Sequence, residues 1–283
     1  MSKEKKIAKK QKKGAPIFGA RDPRQYILRK HSSFYLQEAY KAMRTNVIFA
    51  TAGTEGCKVL AVTSALPSEG KSITALNLAI SLAQADYKVL VMDSDLRRPK
   101  LARLLNCSTP AGVSNVLAIP SYIDVALLHN EEFNLDVLLA GDIPPNPSEL
   151  LASHRTDKLL KALRAQYDFI IVDTPPVSVV TDAVVLAPRC DGILFVVRAG
   201  QSDKLAITRA MEQLEIAKAK VLGFVLNGVD IRDGKSGYGK YRYRRSYRYG
   251  SYGRYGYGYG YGYSHSARHN AAQVSDGADR EGK

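Results

Sequence analysis

Three stretches of this sequence set chemistry-bearing side chains directly after an apolar run. In the first, Val59-Leu60-Ala61-Val62-Thr63-Ser64 leads into Ala65-Leu66-Pro67-Ser68-Glu69-Gly70-Lys71-Ser72-Ile73. A strand, a tight loop and Gly-Lys-Ser at a helix start make a cradle for polyphosphate, because backbone N–H groups and the positive end of the helix dipole face the anion. Lys71 would bridge the terminal phosphates, and the Ser72 hydroxyl would ligate Mg²⁺. The residue six places before the lysine, usually glycine in such a P-loop, is Ala65. The nucleotide-binding candidates are therefore Pro67, Ser68, Glu69, Gly70, Lys71, Ser72 and Ile73, with Lys71 expected as an exposed loop side chain.

The second stretch is Val89-Leu90-Val91-Met92-Asp93-Ser94-Asp95-Leu96-Arg97. Two acids at i and i+2 leave the end of a buried strand. One can hold Mg²⁺ while the other accepts a proton from an attacking hydroxyl. Asp95 is the candidate proton acceptor and Asp93 the metal residue, although the two can exchange roles. In the third stretch, Phe169-Ile170-Ile171-Val172-Asp173-Thr174-Pro175-Pro176, Asp173 leaves an apolar strand in the Walker B manner, placed to bind Mg²⁺ or orient water. Lys71, Asp93, Asp95 and Asp173 are the catalytic candidates, and Ser72, Asp93 and Asp173 the metal candidates.

These residues need a scaffold that delivers them to one edge. Val/Ile/Leu-rich runs at 58–63, 88–92, 134–139, 168–172, 191–197 and 220–226 alternate with helical patterns near 71–85, 148–165, 181–187 and 203–218. Continuous apolar runs imply strands buried on both faces. The fold class is α/β, a doubly wound, mostly parallel sheet with its ligand beyond the carboxyl ends of the strands. A further helix is expected over 33–50, capped by Ser32 or Ser33. Asp182 reads as a helix cap or dipole partner. His31, His129, His154, His265 and His269 show no partner spacing and read as surface residues.

The formal net charge is +14. It is carried by the ends: residues 1–30 hold +9 and residues 235–263 hold +7, while 31–234 come to −2. A basic globular domain is excluded. The scattered cysteines Cys57, Cys107 and Cys190 fit a reducing compartment and offer no metal-ligand spacing. The expected organisation is a basic arm over 1–32, a nucleotide-binding domain over 33–231 and a flexible tail over 232–283. Residues 237–263 contain 11 Tyr, 8 Gly and 6 Lys/Arg and no aliphatic side chain, so they cannot build a core.

In these features the chain resembles the bacterial tyrosine kinases, specifically the separate cytoplasmic type found with polysaccharide export systems. The resemblance covers about residues 30–263. It rests on the P-loop, on Asp93-x-Asp95-x-Arg97, on Ile170 to Pro176, on Glu38-Ala39-Tyr40-Lys41-Ala42-Met43-Arg44-Thr45-Asn46, on Ala140 to Leu151, and on the tyrosine cluster. Lys41 stands where the family usually has arginine. The resemblance implies an ATP- and Mg²⁺-dependent autokinase that modifies its own tail in trans and governs capsular or exopolysaccharide polymerisation and export. The implied acceptors are Tyr238, Tyr241, Tyr243, Tyr247, Tyr249, Tyr252, Tyr255, Tyr257, Tyr259, Tyr261 and Tyr263.

It further implies a ring-like homo-oligomer through Glu38, Lys41 and Arg44, a membrane-anchored activator of the polysaccharide co-polymerase type, and a cognate tyrosine phosphatase. Location would be cytoplasmic, with recruitment to the inner face of the membrane. Asn227, at the exit of the last strand, would contact adenine. Two other readings share some of these features. One is a partitioning ATPase of the MinD/ParA type, although Leu66 stands where such proteins carry a second lysine. The other is a single-stranded nucleic-acid binder working through the Arg/Tyr/Gly tail, although no specific nucleic acid is expected as a partner.

Overall fold

The computed structural model describes residues 22–229; the arm up to residue 21 and the tyrosine cluster at 238–263 lie outside the described residues. Helix α1 (Phe34–Ala50) begins where Ser33 accepts the Leu36 N–H on its side chain at 3.4 Å. Leu36, Tyr40, Met43 and Ile48 pack onto the core around the buried Val47. The folded body starts earlier than the expected boundary at 32. Ile27 and Leu28 are buried, and Asn77 accepts the Leu28 N–H and donates to the Tyr26 carbonyl, both at 2.8 Å. The basic residues around them masked two aliphatic anchors.

Strand β1 (Lys58–Ser64) runs into helix α2 (Lys71–Ala83), whose residues are almost all buried because it lies between the sheet and α1. Next come β2 (Val89–Asp93) and three short helices: α3 (Leu101–Leu105), α4 (Val113–Ala118) and α5 (Ile123–Ala126). A hairpin of β3 (Leu127–Asn130) and β4 (Leu135–Leu138) follows. The remaining elements are α6 (Pro147–Ala152), α7 (His154–Arg164), β5 (Phe169–Asp173), α8 (Asp182–Leu186), β6 (Gly192–Arg198), α9 (Lys204–Ile216) and β7 (Val221–Asn227). The sheet order is β3-β4-β2-β5-β1-β6-β7, and every neighbouring pair is parallel except β3-β4.

Alternate strand residues face opposite sides. Val59, Ala61, Met92, Val172 and Phe195 build one layer of core; Leu60, Val62, Val91, Ile171 and Val196 build the other, against α2. Apart from Ala61, each of these side chains contributes about 1.5–3 kcal/mol on burial, so the central strands form a stiff platform for the residues at their ends.

Two expectations need correcting. The single helix over 148–165 is broken at Ser153, which is extended at φ −66°, ψ 154° and donates its hydroxyl to the Leu150 carbonyl at 2.7 Å. A serine offers the backbone this local alternative to helix. His129 is also partnered: its Nδ1 lies 2.8 Å from Asp136 Oδ1 across the β3-β4 hairpin. Asp136 accepts the Tyr167 hydroxyl on its other oxygen at 2.7 Å. Burial and this carboxylate push the Tyr167 phenol above its ordinary range.

Candidate functional site

Neighbouring strands bring the acids and the P-loop to one edge. Asp93 and Asp173 end β2 and β5 in register, and Asp173 also pairs with Val62 of β1. Lys71, first residue of α2, reaches back over this edge. Its Nζ lies 3.0 Å from Asp95 Oδ2, 3.4 Å from Ser72 Oγ and 3.7 Å from Asp173 Oδ1. The expected exposed lysine is buried at 4% exposure, as is Asp95 at 4%, and Asp93 and Asp173 are at 0%. Burial opposes the charge on Lys71, but Asp173 and Asp95 outweigh it and raise its pKa. Burial, reinforced by the nearby Asp173, pushes Asp93 up to about 7. Burial also raises Asp173, against the pull of Lys71 and Ser72.

The carboxylates differ in what their oxygens do. Asp93 accepts the Asp95 N–H at 3.1 Å on Oδ1, and the Lys100 and Leu101 N–H groups at 3.0 Å on Oδ2. It thereby folds the loop and caps α3. Asp95 accepts the Arg98 N–H at 3.1 Å on Oδ1 and turns Oδ2 to Lys71. Both oxygens of Asp173 are buried with no hydrogen-bond donor. Such orphaned oxygens call for a partner, and a divalent cation fits them.

Among the described residues, no group of three or more His, Cys, Asp and Glu side chains could hold a metal. Asp173 and Ser72 instead suit Mg²⁺ binding in which phosphates and water complete the shell. Asp93, an acceptor of three backbone bonds, makes a prediction of its own. Asp93→Ala strands those N–H groups and should cost roughly 2–4 kcal/mol, read as a lower melting temperature and faster hydrogen exchange at Leu101.

The P-loop is held from the β6 and β7 side. Gly70 has φ +99°, and a Cβ there would meet Asn227 Nδ2 at 1.9 Å. Asn227 donates to the Glu69 carbonyl at 2.9 Å and accepts the Gly228 N–H at 2.8 Å. Arg198 donates to the Ser68 carbonyl at 2.9 Å. The Glu69 carboxylate is fully buried and accepts the Leu66 N–H at 2.8 Å and the Ser202 hydroxyl. Glu69 therefore offers a phosphate its backbone alone, and Asn227, for which a contact with adenine is expected, also braces the turn.

Among the oligomerisation candidates, Lys41 pairs with Glu38 at 2.8 Å, within the chain. Arg44 donates to the Ser81 carbonyl at 2.5 Å and so fastens α1 to α2. The sequence reading missed Lys100, a half-buried second cation near the acids. Burial and Lys71 lower its pKa, with Asp173 and Asp95 opposing. Thr181, not Asp182, takes the N-cap position of α8; Asp182 is the acidic residue of its first turn, fully buried and paired with Arg97.

The AAA domain family profile matches residues 57–216. The tyrosine-protein kinase YwqD of Bacillus subtilis is 39% identical over 223 residues, covering 79% of this chain and 93% of that one. The tyrosine-protein kinase CpsD of Streptococcus agalactiae is 37% identical over 195 residues, covering 69% and 84%. The solved kinase domain of Escherichia coli tyrosine kinase ETK superposes with a TM-score of 0.68 at 35% identity, over 79% of this chain and 80% of that one. A P-loop with acids at the ends of β5 and β2, shared over this length with kinases of that kind, means that the chain belongs to the bacterial tyrosine kinases, which transfer phosphoryl groups from ATP to protein tyrosine.

Proposed function

We propose that the chain is an autokinase that phosphorylates its own tail, Tyr238 to Tyr263, in trans, and that it thereby regulates polysaccharide polymerisation and export. The carrying observation is the Lys71–Asp95 contact of 3.0 Å beside the oxygens of Asp173, which lack a hydrogen-bond donor. The backbone of residues 66–72 cradles the phosphates. Ser72 and Asp173 hold Mg²⁺, with Asp93 behind them. When bound, Mg²⁺ neutralises charge on the β- and γ-phosphates.

Lys71 turning to the phosphates releases Asp95 Oδ2. That oxygen then accepts the proton of the attacking phenol, whose pKa near ~10 keeps it protonated at neutral pH. The phenol oxygen bonds to the γ-phosphorus, the bond to the β–γ bridging oxygen breaks, and ADP leaves. Residues 235–263 carry +7. Each phosphate adds about −1.5 to −2, so about four of them cancel that charge and more make modified tails repel one another.

No helix among the described residues is long and apolar enough to cross a membrane. In this proposal a membrane-anchored activator recruits the kinase, a ring-like homo-oligomer presents each tail to a neighbour, and a tyrosine phosphatase resets it. To test transfer in trans, full-length Lys71→Met protein is mixed with ATP and a full-length active chain whose eleven tail tyrosines are phenylalanine. Mass spectrometry should find phosphotyrosine on the Lys71→Met chain. An unmodified Lys71→Met chain, while unaltered protein labels itself, would make the transfer intramolecular.

A further inference from the structure

We propose that Asp182 is a positioning residue for phosphoryl transfer, acting through Arg97 on the loop that carries Asp95. The inference rests on the roles given above to Asp95 and Asp173. Asp182 is wholly buried, and the guanidinium of Arg97 grips it with two parallel bonds, Nε to Oδ2 at 3.0 Å and Nη2 to Oδ1 at 3.1 Å. The same Nη2 donates to Ser148 Oγ at 2.9 Å, and the Ser148 hydroxyl donates to Asp182 Oδ1. The hydroxyl of Thr181 donates to Ser148 Oγ at 3.3 Å. This bond to Asp182 also raises the pKa of Arg97.

The location of this cluster gives it a task. Arg97 lies four residues beyond Asp93 on the chain leaving β2, and Asp182 nine beyond Asp173 on the chain leaving β5. Ser148 belongs to α6, a third element. One planar, two-pronged contact therefore ties the exits of the two strands that supply the acids. Asp93 secures the inner side of the 94–101 loop through backbone N–H groups. Arg97 secures its outer side. Between these two anchors sits Asp95, whose Oδ2 must face Lys71 and then the acceptor phenol.

None of these bonds touches the P-loop backbone, so nucleotide affinity should be insensitive to them. Alignment of the proton acceptor should not be, since a misplacement near 1 Å can cost about 10²-fold in rate.

The test uses the full-length chain with Asp182→Asn, which keeps shape and removes charge, and Arg97→Lys, which keeps charge and removes the fork. Each should lower kcat for autophosphorylation about 10- to 100-fold, with KM for ATP within about twofold of wild type. The double variant should be no slower than the slower single variant, because both act through one contact. Arg97 is partly exposed, with 39% side-chain accessibility, so its variant should fold even if Asp182→Asn does not.

Wild-type kcat in either variant would overturn the proposal. So would a raised KM for ATP with unchanged kcat, or losses that multiply in the double variant. Asp95→Asn, run alongside, separates the underlying reading from this one. If it is inactive while Asp182→Asn and Arg97→Lys are normal, the site stands and the positioning role falls.

Discussion

Lys71→Met is expected to abolish autophosphorylation, a loss of at least about 10³-fold, and to weaken the fold as well. The second effect follows from burial. Lys71 stands among Asp93, Asp95 and Asp173, all nearly inaccessible to water. Removing one partner of a buried pair leaves uncompensated charge and costs about 3–5 kcal/mol, or roughly 6–20 °C in melting temperature for a domain of this size. The sign with pH follows from the raised carboxylates. Without the lysine, Asp93 and Asp173 bind protons still more readily in the folded state than unfolded. Stability of the variant should therefore fall as pH rises from about 4 towards 7. The gap to wild type should narrow on acidification. Melting curves at a series of pH values, with phosphotyrosine formation from ATP, check both parts; a gap independent of pH would mean the lysine does not neutralise these acids.

The next largest effects should come from Asp95→Asn and Asp173→Asn, and they should separate by metal. Each should lower kcat by about 10²- to 10⁴-fold. Asp173, with both oxygens lacking a donor, is the residue expected to meet the cation. Raising Mg²⁺ or substituting Mn²⁺ should restore part of the activity of Asp173→Asn, because bulk concentration compensates a weakened site. Asp95→Asn should not respond, since no concentration of metal supplies a proton acceptor. Metal titrations of kcat for the two purified variants make the comparison, and identical responses would remove the distinction between their roles.

The platform was plain in the sequence because it repeats one signal: runs of apolar residues, three of them with chemistry at the carboxyl end. Five of the six expected runs are buried strands; the sixth, Val221–Asn227, lies at the edge of the sheet and is only partly buried, so its apolar run does not mean burial on both faces. The seventh strand, Leu127–Asn130, escaped because it is four residues long, antiparallel and only partly buried. The helices Leu101–Leu105, Val113–Ala118 and Ile123–Ala126 are too short to show a period. Within the site, Lys71, Asp93, Asp95 and Asp173 were legible because each lies next to its strand. The division of labour was not, since the fate of each carboxylate oxygen depends on distant partners. Arg97 and Asp182 are 85 residues apart, and Ser202 and Glu69 are 133 apart. Nothing local marks Glu69 as an acid turned inward, or Asn227 as a brace for Gly70.

That inward acid has a bearing on which nucleotide the enzyme favours. With Glu69 joined to Leu66 and Ser202, and Asn227 lodged against Gly70, the cradle takes its curvature from the protein rather than from its guest. ATP and ADP present the same inner phosphates to it, so a pre-shaped ring greets both alike. In the proposed mechanism, telling spent nucleotide from fresh would then fall to Lys71, Asp95 and Asp173, the groups to which that mechanism also gives the transfer.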